Sequence, residues 1–355
     1  MKYRMTALLL ALVLLVTMSA CNRAPQEEPA PDPQQMTEPE EPQEPEPTVG
    51  NNPLTGLDMA DDYVGMRPVA VVLNNIKVAM PMYGISHVDI LFEVPAEGGI
   101  TRMIGIVQDP RQVPRFGSIR SARDYFLDVA GGFDAVLVHA GGSPLAYSLI
   151  KSRKVDSWDG VKGAYGHLYY RDKGRISSAG YEHSLFTTGE NLTKEWQKTS
   201  ARTTHNSGYA NGLTFSVDST ITGGSPAPTI TAPFSSYKTG VFTYDAASGL
   251  YQVSQYGKPF VDGETGEQFA VTNVLVLKTS VAAISGDDKG RQSVKLEGSG
   301  EGIYACQGEC IPIRWSKSAW DKPFVLTTAD GAPLVLKCGK TYVNILSNTA
   351  NVTME

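Results

Sequence analysis

The sequence predicts an α/β N-terminal domain, with a mixed sheet and a βαβ unit, followed by a mainly antiparallel β domain. From residue 67 to residue 153, apolar β-type runs alternate with helical stretches, which is typical of an α/β domain. After about residue 213, short β-type runs alternate with turn residues, which indicates an antiparallel sheet or small barrel. Residues 51–355 exceed what one hydrophobic core usually spans. We therefore expect two domains, 51–212 and 213–355.

The first residues predict an export signal and a lipid anchor. A basic start and a short apolar run precede Met18-Ser19-Ala20-Cys21. The run is shorter than the roughly 20 residues that cross a bilayer, and small residues before a cut are typical of a secretory signal. The tetrapeptide resembles a bacterial lipobox. Residues 1–20 would then be removed, and the Cys21 thiol would carry diacylglycerol and hold the protein on the extracytoplasmic face of the cell membrane. The alternative is an ordinary signal peptide with a chance cysteine.

Residues 21–50 predict a disordered tether between this anchor and the folded body. Residues 22–50 hold eight prolines and eight acidic residues against the single Arg23. Proline stiffness and like-charge repulsion keep such a segment extended. The chain has a formal charge of −6, of which only −1 belongs to residues 51–355. Because the body has no basic excess, we expect no nucleic-acid partner.

The N-terminal domain begins with three predicted strands. Apolar and β-branched runs occur at residues 68–74, 88–94 and 101–108, the last two separated by a Gly-Gly turn. Such runs are typical of strands that are buried on both faces.

The next segment predicts the βαβ unit. A short strand at 116–119 leads to Ser121, which forms a capping box with Asp124 at the start of a helix. A second strand at 135–140 leads to another helix, with Ser143 as its cap and Pro144 in its first turn. Because the connections are short, we expect right-handed crossover and parallel pairing.

The rest of the chain predicts one more helix and a series of short strands. The helix is expected at residues 190–200. The strands are expected at residues 215–217, 240–244, 251–256, 271–278, 293–297, 302–306, 311–315, 323–327, 334–336 and 341–346.

Three cysteines follow Cys21. Cys306 and Cys310 flank the tip of a predicted hairpin, and Cys338 lies further on. A disulfide across the hairpin would suit an exported protein. Free buried thiols and a metal site are the alternatives, although a zinc site would need a fourth ligand and no histidine lies nearby. We expect no metal and no cofactor, because no Walker, dinucleotide-binding or HExxH motif occurs.

Two loops at the ends of predicted strands contain the candidate ligand-binding residues. Ligands of open parallel sheets bind beyond the carboxyl ends of strands, where helix N-termini also point. Guanidinium groups and helix N-termini together favour an anion such as phosphate, carboxylate or an acidic sugar. The candidates are Arg120, Ser121 and Arg123 in the first loop and His139, Gly141, Gly142 and Ser143 in the second. Alternatively, the arginines pair with Asp124, Asp128 or Glu93, and Ser143 only caps its helix.

A second candidate group is the pair of carboxylates in the 93–102 segment. Glu93 and Glu97 flank Pro95, and Arg102 follows a Gly-Gly turn. Glycoside cleavage needs one neutral and one ionised carboxyl, so the pair would be catalytic if the protein is an enzyme. The alternative is an ion pair that braces the turn. The candidate cleft could also include His183 and the aromatic-rich set Tyr165, His167, Tyr169 and Tyr170.

Several motifs resemble the YerB-like lipoprotein family. They are EVPAEGGITR at 93–102, GSIRSAR at 117–123, FDAVLVHAGGSP at 133–144 and, near the C-terminus, IRWSK at 313–317 and GKTY at 339–342. The resemblance covers nearly all of the chain after residue 51. It implies an exported lipoprotein of Gram-positive-type bacteria with two domains of unknown function. It also implies that the candidate residues above, Arg102 included, are family-motif positions. The three C-terminal cysteines are not part of that pattern.

Two functional hypotheses follow. The first is a lipid-anchored, non-enzymatic envelope protein that binds an anionic or carbohydrate cell-wall component, or a partner protein. The second is a cell-wall enzyme with Glu93 or Glu97 as acid or base, Arg120 and Arg123 orienting the substrate and His139 assisting. The enzyme hypothesis needs a carboxylate in an open cleft near Arg120 and His139. It is weakened if both carboxylates lie in ion pairs.

Overall fold

A computed structural model describes residues 49–199 and 201–355. The predicted signal, Cys21 and the tether as far as residue 48 lie outside the described residues. All described residues belong to one compact unit. The expected boundary at residue 50 falls inside the first strand, which begins at Val49. In the described part of the chain, no helix is long and apolar enough to cross a membrane.

The described residues form five α-helices and several short 3-10 turns. The α-helices are α1 (Asp61–Val64), α2 (Asp124–Gly132), α3 (Pro144–Arg153), α4 (Lys173–Ala179) and α5 (Gly189–Lys198). The 3-10 turns are Lys77–Ala79, Ile85–His87, Pro110–Gln112, Tyr165–Leu168 and Tyr181–His183. The helix predicted at 190–200 is α5, and its N-cap Thr188 accepts a hydrogen bond from Asn191 N.

The strands of the first half of the body are β1 (Val49–Asn51), β2 (Asp58–Ala60), β3 (Val69–Leu73), β4 (Ile90–Pro95), β5 (Thr101–Val107), β6 (Phe116–Gly117), β7 (Val136–His139), β8 (Ser157–Asp159), β9 (Tyr169–Arg171) and β10 (Leu185–Thr187).

The strands of the second half are β11 (Phe215–Ser216), β12 (Ser225–Pro226), β13 (Thr229–Pro233), β14 (Thr239–Asp245), β15 (Leu250–Gln255), β16 (Lys258–Pro259), β17 (Ala270–Val271), β18 (Asn273–Thr279), β19 (Val281–Ala283), β20 (Gln292–Val294), β21 (Gly298–Cys306), β22 (Glu309–Lys317), β23 (Val325–Thr328), β24 (Leu336–Lys337), β25 (Thr341–Ser347) and β26 (Thr353–Met354).

One large sheet runs through both halves of the body. Its strand order is β12-β22-β21-β18-β25-β4-β5-β3-β7-β8, and β23 also pairs with β22. Strands β25 and β4 are parallel neighbours, with Asn344 beside Glu93. A second, antiparallel sheet in the order β16-β15-β14-β13-β26 packs in the C-terminal half. The predicted fold class is therefore confirmed, and the two expected domains share a continuous sheet.

The large sheet is buried on both faces. Along β3, Val69 and Val71 face one apolar cluster, and Ala70 and Val72 face the other. Side chains alternate between the faces of a strand, so a strand covered on both sides needs an uninterrupted apolar run. Helix α2 covers one face with buried Tyr125 and neighbouring apolar residues. This packing explains why the sequence of β3 reads as an unbroken apolar run.

The βαβ unit is present but uses strands other than those expected. Strand β7 pairs in parallel with β8 after α3, and also in parallel with β3. The strand predicted at 116–119 is the short β6, which pairs antiparallel with β10 in a separate three-stranded sheet. The alternation of strands and helices therefore predicted parallel pairing correctly, while the choice of partners depended on contacts distant in sequence.

The hairpin that carries two cysteines is β21–β22, and these thiols cannot pair with each other. The two-residue turn places Gln307 and Gly308 at φ 54° and 79°, as in a type I′ hairpin. Cys306 lies opposite Glu309, and Ala305 lies opposite Cys310. Adjacent residues point to opposite faces, so the two thiols enter different core clusters. All three described cysteines are free thiols, and the hypothesis of a disulfide across the hairpin is wrong for this geometry.

Candidate functional site

The two candidate loops lie against each other. Ala122 N donates to Gly141 O at 2.9 Å, and Ser143 N donates to Ala122 O at 3.1 Å. Nearby, Ala140 N donates to Arg120 O at 3.0 Å. The loops at 120–123 and 140–143 are therefore one continuous surface at the ends of β7 and its neighbours. This convergence is the arrangement that an edge-bound ligand needs.

The two serines have different roles. Ser143 caps α3, because its Oγ accepts a hydrogen bond from Ala146 N at 3.1 Å. The capping box predicted at Ser121 is wrong: α2 begins at Asp124 with Arg123 as N-cap, and no side chain caps it. The Ser121 Oγ instead donates to Ala140 O at 2.9 Å. This long-range bond fixes one loop to the other.

Two arginines of this region bind one carboxylate, and a third lies within range of its charge. We call Arg102, Arg120, Arg123 and Glu97 the arginine cluster. Arg123 Nη2 lies 2.9 Å and 2.8 Å from the two Glu97 oxygens. Arg102 also donates to Glu97 and, through Nη1, to Ser121 O at 2.9 Å. Arg120 Nη1 donates to the Glu182 backbone carbonyl at 2.8 Å. Arg120 and Arg123 therefore do not pair with Asp124, Asp128 or Glu93, and that alternative is wrong.

The arginine cluster holds more positive than negative charge. Arg102 and Arg123 are buried, and the side chain of Arg120 is 19% exposed. Burial and the nearby Arg123 lower the pKa of Arg102 to about 9, and burial lowers that of Arg120. The only further carboxylate within ion-pair distance of these arginines in the described residues is Glu182, 3.6 Å from Arg120 Nη1 and 69% exposed. An added anion would offset this surplus.

His139 lies behind the loops as a neutral side chain. It is fully buried, and burial lowers its pKa. Its Nδ1 lies 2.8 Å from Gly141 O, so Nδ1 carries the proton and Nε2 is left as an acceptor. Within the described residues Nε2 has no hydrogen-bond partner. His139 therefore orders the loop and is not in contact with the arginine cluster.

Asp159 and Tyr147 complete the second loop and were missed from the sequence. Asp159 Oδ1 accepts from Gly141 N at 2.7 Å, and its Oδ2 accepts from Tyr147 OH at 2.8 Å. Gly141 has φ 76°, a conformation that favours glycine. Asp159 ends β8, which is only three residues long, so no strong local pattern marked it. Gly142 joins the loops through a parallel bridge to Ala122.

Glu93 does not belong to the arginine cluster. It is fully buried, and its Oε1 lies 2.8 Å from Lys238 Nζ. Tyr342 OH donates to its Oε2 at 2.5 Å. Both candidate carboxylates are thus held in ion pairs, Glu93 with Lys238 and Glu97 with two arginines. Neither is an open acid or base, so the geometry does not support glycan cleavage by this pair.

The remaining aromatic and histidine candidates are spread out. His183 lies near Arg120, which contributes to lowering its pKa after burial, and its Nδ1 lies 2.9 Å from Asn74 Nδ2. His167 pairs with Glu195 at 2.8 Å, and Tyr169 OH donates to Trp158 O at 2.5 Å. Of His183, His167 and Tyr169, only His183 therefore lies near the arginine cluster. Among the residues the structure describes, no group of three or more metal-ligating side chains occurs.

A cleft of about 350 Å³ lies elsewhere, lined by residues of both halves such as Arg67, Asp134, Arg202, Tyr209 and Trp320. Its two arginines already pair with Asp134. Arg202 Nη2 lies 2.6 Å from Asp134 Oδ1, and Arg67 Nε donates to the Asp134 carbonyl at 2.6 Å. Size alone does not make this cleft a ligand site, so the arginine cluster remains the better candidate.

Comparison with known proteins gives consistent matches. Residues 54–202 match the family described as "Protein of unknown function (DUF3048) N-terminal domain", and residues 230–343 match "Protein of unknown function (DUF3048) C-terminal domain". The protein named "Putative lipoprotein YerB" of Bacillus subtilis (strain 168) is 31% identical over 301 residues, covering 83% of this chain and 85% of that protein. The crystal structure of YerB from Bacillus subtilis superposes with a TM-score of 0.73 at 29% identity, covering 86% of this chain and 99% of that one. The resemblance expected from the motifs is confirmed.

Proposed function

The chain belongs to the DUF3048 family, and from this premise we propose that it is a lipid-anchored envelope protein that binds an anionic group through the arginine cluster. The Bacillus subtilis relative is named "Putative lipoprotein YerB", which agrees with the lipobox-like segment that ends at Cys21. The anchored body would then meet ligands outside the membrane. Phosphate or carboxylate groups of the cell wall are the proposed partners, and a partner protein could present the same chemistry.

The observation that carries this proposal is that three guanidinium groups lie near one internal carboxylate, Glu97, which forms ion pairs with Arg102 and Arg123. A buried positive surplus is costly, and an anion that forms charge-assisted hydrogen bonds would reduce that cost. Arg120 is the best placed to reach such a ligand, because it is the most exposed arginine of the three. Its Nε is buried and, in the described part of the chain, lacks a hydrogen-bond partner. A modest rotation of Glu182 would free its outer face.

Binding to isolated cell-wall material tests the proposal. We expect saturable binding of the full chain, weakened by added salt because the contact is ionic. Arg120→Gln should lower the affinity about tenfold, or ~1.4 kcal/mol. Arg314→Gln is the charge-matched control, since Arg314 is exposed on β22 and distant in sequence from the cluster. Equal binding by the wild type and both variants would overturn the proposal.

Two further binding experiments distinguish phosphate from carboxylate as the recognised anion. Wall material stripped of its phosphate polymers should lose binding if phosphate is recognised and keep it if carboxylates are recognised. Inorganic phosphate should compete in the first case only. Release of soluble wall fragments by the wild-type protein would instead support the enzyme hypothesis. That result would mean that the ion pairs of Glu93 and Glu97 do not prevent catalysis.

A further inference from the structure

A second polar group lies in the core where the two halves of the body meet. Lys238, Glu93 and Asn75 are all fully buried. Glu93 Oε1 lies 2.8 Å from Lys238 Nζ and also 2.8 Å from Asn75 Nδ2. The Lys238 amine and the Asn75 carboxamide therefore contact the same buried carboxylate oxygen, which also accepts a hydrogen bond from Thr101 Oγ1 at 2.6 Å.

Each side chain comes from a different part of the fold. Asn75 follows β3 by two residues, Glu93 is within β4, and Lys238 lies in the turn between β13 and β14. That turn is fixed by hydrogen bonds from Phe234 N and Ser235 N to the Lys238 carbonyl, at 2.9 Å and 3.1 Å. Glu93 is thus positioned by a strand, and Lys238 by a turn whose backbone is hydrogen-bonded.

The surroundings exclude water and satisfy Glu93, which accepts hydrogen bonds from Thr101 and Tyr342, but they leave atoms of Lys238 and Asn75 without partners. The Lys238 Nζ lies 5.3 Å from the Phe234 ring centroid and 5.5 Å from that of Tyr256. Its 2.8 Å contact with Glu93 is a close ion pair but not an aligned hydrogen bond, so Nζ has no hydrogen-bond partner among the described residues. Asn75 Oδ1 likewise has none there. Unsatisfied buried groups of this kind are rare in native proteins and call for an explanation.

We propose that Lys238 and Asn75 become joined by an intramolecular amide bond, with Glu93 as the catalytic acid and base. Glu93 takes a proton from the Lys238 ammonium, and the neutral amine attacks Cγ of Asn75. The carboxyl then gives this proton to Nδ2 as the Cγ–Nδ2 bond breaks. It takes a second proton from the attacking nitrogen, so ammonia leaves and Glu93 ends neutral. One C–N bond forms and one C–N bond breaks. The lysine ammonium, the ionised carboxyl and the primary amide become a secondary amide, a neutral carboxyl and ammonia, so no oxidant or other reactant is needed.

The geometry favours this step for two reasons. Two reactants held beside one acid–base group need no encounter, which is worth many orders of magnitude in effective concentration, and Glu93 is within hydrogen-bond distance of both reacting nitrogens. Exclusion of water also protects the product from hydrolysis. The new bond would replace a buried ion pair, which is costly to maintain, with a neutral amide. It would link the two family domains covalently.

Peptide mapping of the purified full-length chain tests the proposal directly. We expect trypsin not to cleave after Lys238, and the peptide containing Lys238 to be recovered joined to the one containing Asn75. The mass of the joined pair should be lower than the sum of the two by one ammonia. Complete recovery of separate, unmodified Lys238 and Asn75 peptides from the folded wild type would overturn the proposal. A link from Lys238 to any other residue would do the same.

Variants test the role of Glu93. Glu93→Gln keeps the side-chain shape but removes the proton acceptor, so the linked peptide should be lost and cleavage after Lys238 restored. Glu267→Gln, at an exposed position, is the matched control and should retain the link. A linked peptide at wild-type yield in folded Glu93→Gln would contradict the catalytic role. If that variant does not fold, the wild-type map still decides whether the bond exists.

Discussion

Arg123 clamps Glu97 with two of its nitrogens, since Nη2 lies within 2.9 Å of both carboxylate oxygens and Nε lies 3.3 Å from Oε2. The clamp joins the turn after β4 to the first residue before α2. Arg102 binds the same carboxylate from β5. Glu97 is therefore the group that allows two buried guanidinium groups to lie side by side.

Removing this carboxylate should be costly. Glu97→Gln leaves Arg102 and Arg123 buried without a counter-charge, and we expect a loss of about 3 kcal/mol in the free energy of unfolding. Chemical denaturation measures the loss. Glu182→Gln is the control, because that side chain is 69% exposed and should change stability by less than about 0.5 kcal/mol. Equal effects of the two substitutions would contradict the assigned role of Glu97.

The buried Lys317 predicts that the free energy of unfolding depends on pH above about pH 8. It is 1% exposed, and burial lowers its pKa to about 8, against roughly 10.4 in an unfolded chain. Between these two values the unfolded chain binds the proton and the folded protein does not, so stability rises with pH. Relative to Lys317→Met, the wild type should gain up to about 1.4 kcal/mol per pH unit from pH 8 to 10. Denaturation curves of both proteins at several pH values measure this difference, and parallel profiles would refute the prediction.

The placement of the cysteines predicts the number of reactive thiols. With Cys306 and Cys310 on opposite faces of their hairpin, a Cys21→Ser chain should give three thiols when denatured without a reductant. The folded chain should react first at Cys338, which is partly exposed, whereas the other two are buried. Thiol titration followed by mass spectrometry measures both. One thiol in the denatured chain would mean that a disulfide forms, and the hairpin geometry would be incorrect.

The lipobox-like segment predicts where the protein is found in the cell. Cys21→Ser removes the thiol that would accept diacylglycerol, so the protein should move from the membrane fraction to the soluble fraction. Ser19→Ala changes the same tetrapeptide without removing the thiol and should leave the protein with the membrane. Fractionation and immunoblotting measure the distribution. Membrane association of Cys21→Ser at the wild-type level would contradict lipid anchoring.

Local patterns predicted most elements, because their causes lie within a few residues. The unbroken apolar run of β3 and the Ser143-Pro144 start of α3 are examples. The capping box at Ser121 failed because its hydroxyl bonds to Ala140, and the strand at Phe116 joined another sheet. The contact of the 120–123 loop with the 140–143 loop, and the burial of Glu93 against Lys238, depend on tertiary packing. No pattern in the local sequence contains that information.

The position of β25 (Thr341–Ser347) has a consequence for the order in which the chain completes its fold. This strand lies between β18 and β4, yet it is synthesised about 250 residues after β4. Until it emerges, β4 is an open edge of the N-terminal half, and such edges are templates for pairing with other chains. Closing the sheet also joins residues about 250 positions apart, a topology that slows folding. A chain that ends before residue 341 would therefore lack the strand that joins its two halves and would expose both edges to aggregation.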